Sequence, residues 1–136
     1  MIYVFDACAL IAYLHNEVGS DNVSDLLRKA VNGECVLYMN IINLIEVHYA
    51  NIRSLGTEQA MEILENILSS PIQIISDFSD TIFQQSARLK AAYKCSLADA
   101  IGIATAIELS GVFVTADHHE LETVESKEKL NFFWFR

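Results

Sequence analysis

The sequence predicts an α/β fold in three layers, with a mostly parallel central sheet flanked by helices on both faces. Three observations predict it. Short runs rich in β-branched and aromatic residues, IYVF, CVLYM, IQII, VFVT and NFFWF, are separated by stretches whose apolar residues recur at helical spacing. The first of these runs is apolar at successive positions, which is how a strand covered on both faces reads. Apolar residues make up 52% of the 136 positions while Gly and Pro number only 5 and 1, so a well-buried core is expected and a linker is not. One domain over residues 1–136 is the expectation.

The elements follow in order. IYVFD reads as a buried strand, and ACALIAYLHN continues it as a helix with Ala9, Leu10, Ala12, Tyr13 and Leu14 on its apolar positions. A second helix starts near Ser20 or Asp21, carries Val23, Leu26, Leu27, Ala30 and Val31, and stops at Gly33. CVLYM is the next strand. Asn40 is placed to cap the helix after it, which ends at Gly56, and Thr57 to cap another that Pro71 forbids from continuing. IQII forms the third strand, and Asp80 opens a helix through Tyr93. Ser96 and Asp99 stand in a Ser-x-x-Asp relation ahead of a helix that is apolar or small at nearly every position from Leu97 to Leu109, with Gly111 as its C-terminal cap. VFVT and NFFWF complete the sheet. Ligands of such sheets gather at the carboxyl ends of the strands.

Charge and cysteine content exclude several classes. A formal charge of −9 does not suit a protein that grips nucleic acid by broad phosphate neutralisation, so any phosphate chemistry here must recruit cations. The opening MIYVFDACALIAYL lacks a basic n-region and is broken by Asp6, which sets it apart from a secretion signal. No run approaches the roughly 20 apolar residues of a membrane span. Cys8, Cys35 and Cys95 are an odd number without CxxC spacing, and a reducing cytoplasm is expected.

Four carboxylates stand out from their surroundings. Asp6 and Asp117 each follow an apolar strand, as YVFD and FVTAD, which puts both at the carboxyl edge of the sheet; capping the next helix is the other role open to them. Asp99 is the one carboxylate near the start of a helix built of Leu, Ala, Ile and Gly, and a charge buried there requires a cation, the helix N-terminus or water. Glu46 lies among Leu44, Ile45 and Val47. Together they offer the hard oxygen ligands that Mg²⁺ or Mn²⁺ prefers. His118 and His119 beside Glu120 do not form HExxH, the cysteines lack a basic setting, and no P-loop or GxGxxG is present. Arg88, Lys90 and Lys94 are the basic residues nearest to Asp99 in sequence and the expected contacts to a phosphate backbone.

The segments YVFDACALIAYL, INLIEVHYA, SLADAIGIATAIELSG and VFVTADHHEL, in this order, resemble the PIN domain nucleases, in particular the toxin components of toxin-antitoxin pairs. The resemblance spans essentially the whole chain. It implies metal-binding and catalytic roles for Asp6, Glu46 and Asp99, with Asp117 completing the cluster and Thr115 matching a small hydroxyl residue ahead of it. Cys8 stands where members commonly have Ser or Asn, and Asn43 where Thr often precedes the Glu. The resemblance further implies Mg²⁺- or Mn²⁺-dependent cleavage of an RNA substrate, an antitoxin protein that covers the site, and a homodimer. A competing expectation is a PIN-like module that binds RNA or protein with its carboxylates inert. A phosphatase of the haloacid dehalogenase type needs a second Asp two places after the first, where Cys8 stands.

Overall fold

Backbone pairing joins five strands into one all-parallel sheet in the order β3-β2-β1-β4-β5, where β1 is Ile2–Phe5, β2 Val36–Asn40, β3 Ile72–Ile75, β4 Val112–Thr115 and β5 Phe132–Trp134. The structure, a computed structural model, describes residues 1–136. Seven helices connect and follow the strands: α1 Ala7–Leu14, α2 Ser20–Val31, α3 Ile41–Leu55, α4 Thr57–Leu68, α5 Asp80–Ala92, α6 Leu97–Leu109 and α7 His118–Glu128. The parallel α/β architecture that the sequence predicts is the one found.

Successive strand residues point to opposite faces, and the core divides accordingly. Phe5 and Val114 pack with Leu10, Val23, Leu26, Val47 and Ile67, so α1 to α4 cover one face. Val4 and Phe113 pack with Ile82, Leu89, Ile103, Leu121 and Val124, so α5 to α7 cover the other. Both faces being apolar explains why the strands read as unbroken hydrophobic runs.

Several helix ends differ from the sequence expectation. Asn40 caps α3 as expected, its side chain accepting from the Ile42 amide at 2.9 Å. Gly56, not Thr57, precedes α4, and no side chain caps that helix. Asp80 opens α5 as expected, where its charge meets the positive end of the helix, and Ser79 before it is the cap, its hydroxyl accepting from the Ile82 amide at 3.1 Å. At the end of α6 the left-handed residue is Ser110 (φ 51°) rather than Gly111. Gly111 serves close approach instead, because a Cβ there would lie 2.9 Å from Ile2 Cγ2 and 3.2 Å from the Ile2 carbonyl oxygen. The sequence allows for a helix after Asp117 only through the capping role open to that residue, and sets no bounds for α7. Its sequence is polar throughout except for Leu121 and Val124, which alone are buried.

Helices α3 and α6 meet at a tight junction. Asn43, fully buried, donates through Nδ2 to the Ala98 carbonyl oxygen at 3.2 Å, and a Cβ on Gly102 would stand 3.0 Å from Asn43 Oδ1 and 2.8 Å from Phe113 Cε1. Gly102→Ala should gain about 0.8 kcal/mol of helix propensity. It should also incur overpacking of roughly 1 to 3 kcal/mol, because neither the Phe113 ring nor the tethered Asn43 amide has a free direction in which to yield. We expect a net loss on the order of 1 kcal/mol, read as a lower urea midpoint at unchanged slope.

Candidate active site

Strands β1 and β4 are neighbours from which the chain departs in opposite senses, β1 toward β2 and β4 toward β5. Such a switch point opens a crevice at the carboxyl ends of the strands. Asp6 leaves β1 there, its amide still donating to the Val114 carbonyl oxygen at 3.1 Å, and Asp117 stands two residues beyond β4.

Asp6 is nearly inaccessible, 3% exposed, and each of its oxygens has a partner. Oδ1 accepts from the Ala9 amide at 2.7 Å, which makes Asp6 the cap of α1, and Oδ2 accepts from the Thr115 hydroxyl at 2.5 Å. The Asp117 amide lies 3.3 Å from the same Thr115 oxygen, and the Asp117 side chain caps α7 by accepting from the Glu120 amide at 3.3 Å. The capping role and the strand-edge position therefore coexist in both residues. Asp99 sits in the first turn of α6, whose start is fixed by the Ser96 hydroxyl accepting the Asp99 amide at 3.0 Å. Glu46 extends from α3 one turn after Asn43, on the side that meets α6.

All four carboxylates line one cleft of about 330 Å³, together with Ala7, Cys8, Ser96, Ala116 and Arg136. Protonation of Asp6, Asp99 and Glu46 is displaced upward. Burial pushes the Asp6 carboxyl to about 7 against the pull of its bonds to Thr115 and Ala9, and the charges of Asp99 and Glu46 add to the rise. Burial likewise lifts Asp99 to about 6, opposed by Ser96 and reinforced by Asp117, Glu46 and Glu120. Glu46 is raised by burial, with Asn43 acting the other way. The Cys8 thiol, half-buried beside these anions, is driven up to about 11 and stays protonated. No three acidic, His or Cys side chains are drawn into a ligand cage. The donor set nonetheless fits a hard divalent cation: it is all carboxylate oxygen, and negative charge accumulates in it without an equal counter-charge.

Sequence reasoning missed Glu120 and Arg136 at the site, and it named Asn43 without the bond that residue makes. Glu120, in the first turn of α7, adds its negative charge to the surroundings of Asp99; its place three residues after Asp117 was the available signal. Asn43 ties α3 to the residue before Asp99 and so sets the two carboxylate-bearing helices in register. Arg136 lines the cleft, whereas Arg88, Lys90 and Lys94 do not. Arg88 is held by Glu128 through bonds of 2.8 and 3.0 Å, and Lys94 lines a separate polar pocket with His119, Glu120, Thr123 and Lys127. His118 is occupied elsewhere, stacked on Trp134 at 4.2 Å and bonded to Glu122.

The family signature of the PIN domain matches residues 3–126. No curated protein matches the chain. Among solved structures, the chain is similar to VapBC2 from Rickettsia felis bound to a DNA fragment from its promoter, at 21% identity and TM-score 0.74, over 98% of each chain. It is also similar to a toxin-antitoxin complex from Klebsiella pneumoniae, at 18% identity and TM-score 0.66, over 98% of each chain. A third similar structure is VapC20 from Mycobacterium tuberculosis, a sarcin-ricin loop cleaving toxin, at 16% identity and TM-score 0.62, over 83% of this chain and 87% of that one.

The raised carboxyls have a consequence for metal-free stability. Asp6 and Asp99 titrate in the folded chain near 7 and 6, above the ordinary value of 3.8 that unfolding restores. The folded state thus binds protons more tightly, and the deficit these groups impose above pH 7 is relieved as pH falls through their folded values. In EDTA, stability measured by urea unfolding should rise by on the order of 2 kcal/mol between pH 8 and pH 5.5. A fall of that size over the same interval would mean that the two groups are not displaced upward.

Proposed function

We propose that this chain, which belongs to the PIN domain family, is a divalent-metal-dependent endoribonuclease that acts as the toxin of a toxin-antitoxin pair. The observation that carries the reading is the convergence of Asp6, Glu46, Asp99 and Asp117, from four separate elements, on one cleft at the switch point of the sheet. These residues would hold Mg²⁺ or Mn²⁺. When bound, a divalent cation supplies the positive charge that offsets the phosphodiester and favours deprotonation of the attacking water.

The protein's own part is orientation. Asp6 has both oxygens engaged, by the Ala9 amide and the Thr115 hydroxyl, so its carboxylate plane is fixed before any ligand arrives. Asp117 is fixed by its cap to α7, and the Ser96 cap and the Asn43 bridge hold Asp99 and Glu46 in register across the cleft. The buried Ala7 and partly buried Ala116 walls reduce competing water and strengthen the charge interactions inside.

The similarity to a toxin-antitoxin complex and to a sarcin-ricin loop cleaving toxin supports the choice of class and of an antitoxin as partner. Exposed apolar side chains on α3 and α4, Ile45, Tyr49, Leu55, Met61 and Leu68, support the further reading that the chain works with partner chains, an antitoxin and a second copy of itself. No helix is long and apolar enough to cross a membrane.

The test is cleavage of RNA by purified protein with Mg²⁺ or Mn²⁺. EDTA should abolish it, and Asp6→Asn and Asp99→Asn should each lower the rate by about 100-fold or more, beyond the 10- to 100-fold typical of supporting residues. The same two substitutions should remove the rise in melting temperature that Mn²⁺ gives the wild type. Full cleavage in EDTA, or by both variants, would overturn the reading. Co-expression with the protein of an adjoining small reading frame should yield a complex that survives gel filtration and cleaves little. Clean separation of the two proteins would count against the antitoxin.

A further inference from the structure

We propose that Arg136 grips a phosphate of the RNA at the edge of the carboxylate cleft, an assignment that rests on the ribonuclease reading above. The chain carries 18 acidic against 9 basic residues, so RNA approaching this cleft meets repulsion unless a cation is placed at it. Arg136 is the one Lys or Arg among the residues that line the cleft. It is not the counter-ion of the four carboxylates, since its only carboxylate partner is Glu17, at 3.5 Å.

The fold holds this residue by its backbone, independently of its side chain. The Phe135 amide donates to the Thr115 carbonyl oxygen at 3.1 Å, extending the β5 to β4 ladder past the strand. The Phe135 carbonyl oxygen accepts from Asn22 Nδ2 at 2.9 Å, and the Arg136 carbonyl oxygen accepts from His118 Nε2 at 2.7 Å. The turn before α2 closes on the same segment so tightly that a Cβ on Gly19 would lie 2.5 Å from the Phe135 carbonyl oxygen and 2.8 Å from Arg136 Cβ. The guanidinium at the end of this clamp is lightly engaged. Nη1 donates to the Val18 carbonyl oxygen at 3.0 Å, Nη2 has only Cys8 Sγ at 3.8 Å, and the side chain is 34% exposed. A guanidinium has five donors in a planar fork that matches two phosphate oxygens, and beside the Val18, Glu17 and weak Cys8 contacts the Nε donor and one donor of Nη2 have no partner. Its anchored backbone lowers the entropy lost when it binds.

A strut that merely tied Val18 to the β5 end would behave differently, and RNA binding distinguishes the two. Binding is measured by fluorescence anisotropy of a single-stranded RNA over a salt series without added divalent metal, in an Asp99→Asn background that keeps the RNA intact. Adding Arg136→Ala should weaken binding roughly 10-fold and flatten the dependence of log K on log salt by about 0.7, the contribution of one phosphate contact to a single strand. Arg136→Lys should restore the salt slope while leaving part of the affinity loss, because an ammonium keeps the charge without the fork. Glu17→Gln, which frees the guanidinium from its competitor, should tighten binding and steepen the slope, and should do so by much less with Arg136→Ala already in place, whereas a strut would give the same small effect in both backgrounds. Equal affinity and slope in Arg136→Ala, or no change in Glu17→Gln, would overturn the assignment. Loss of Mn²⁺-dependent cleavage in the wild type with these binding changes intact would instead overturn the nuclease reading and leave the phosphate contact standing.

Discussion

The hydrogen bond from Thr115 to Asp6 spans 109 residues of sequence and joins the ends of two neighbouring parallel strands. Much of the site depends on it. A carboxylate 3% exposed is held only by charge-assisted bonds, and Asp6 has two, one from each side: the first turn of α1 and the end of β4. The same Thr115 oxygen lies against the Asp117 amide, so one hydroxyl sets the spacing of both strand-end carboxylates. For β4 to lie close enough, the turn out of α6 must run close alongside the start of β1, which is where Gly111 approaches Ile2 without room for a side chain.

The cleft gathers like charges, and the energy of doing so is carried by packing elsewhere. The fully buried Asn43 spends its amide donor on the Ala98 carbonyl oxygen, and its Oδ1 is left without a hydrogen bond at a cost of about 1 to 3 kcal/mol. That arrangement locks α3 against α6 and opposes the repulsion between Glu46 and Asp99 that would otherwise part the helices. The two core clusters, each spanning three or four helices and the sheet, supply the burial that tolerates such local penalties.

What could be read from the sequence follows from what burial does to composition. The strands were legible because a sheet covered on both faces leaves apolar runs, and Asp6, Glu46 and Asp99 because a carboxylate in apolar surroundings is costly and conspicuous. Helix α7 was not legible, since Leu121 and Val124 alone bury it and the other residues of HHELETVESKE follow no apolar stripe. The cap of α4 shifted by one because Gly56 supplies the non-helical backbone, leaving Thr57 as the first helical residue, while α5 opens at Asp80 as the sequence indicated. Glu120 was hidden among polar neighbours. Arg136 carries no local pattern at all; its place in the cleft comes from the pairing of β5 with β4, a purely tertiary relation.

The strand order also dictates a sequence of events during synthesis. Strand β1 is central, with β2 on one side and β4 on the other, and the two partners are made at very different times. A growing chain can build the half-sheet β1-β2-β3 while β4 is still to be made, which leaves the apolar IYVF strand as a temporary open edge of the kind that invites pairing with other chains. Only when residues through Thr115 have emerged can that edge be sealed, and the act that seals it also gives the Asp6 carboxylate its second partner and brings Asp117 alongside. The closing of this exposed edge and the completion of the acidic cleft thus fall in one late step.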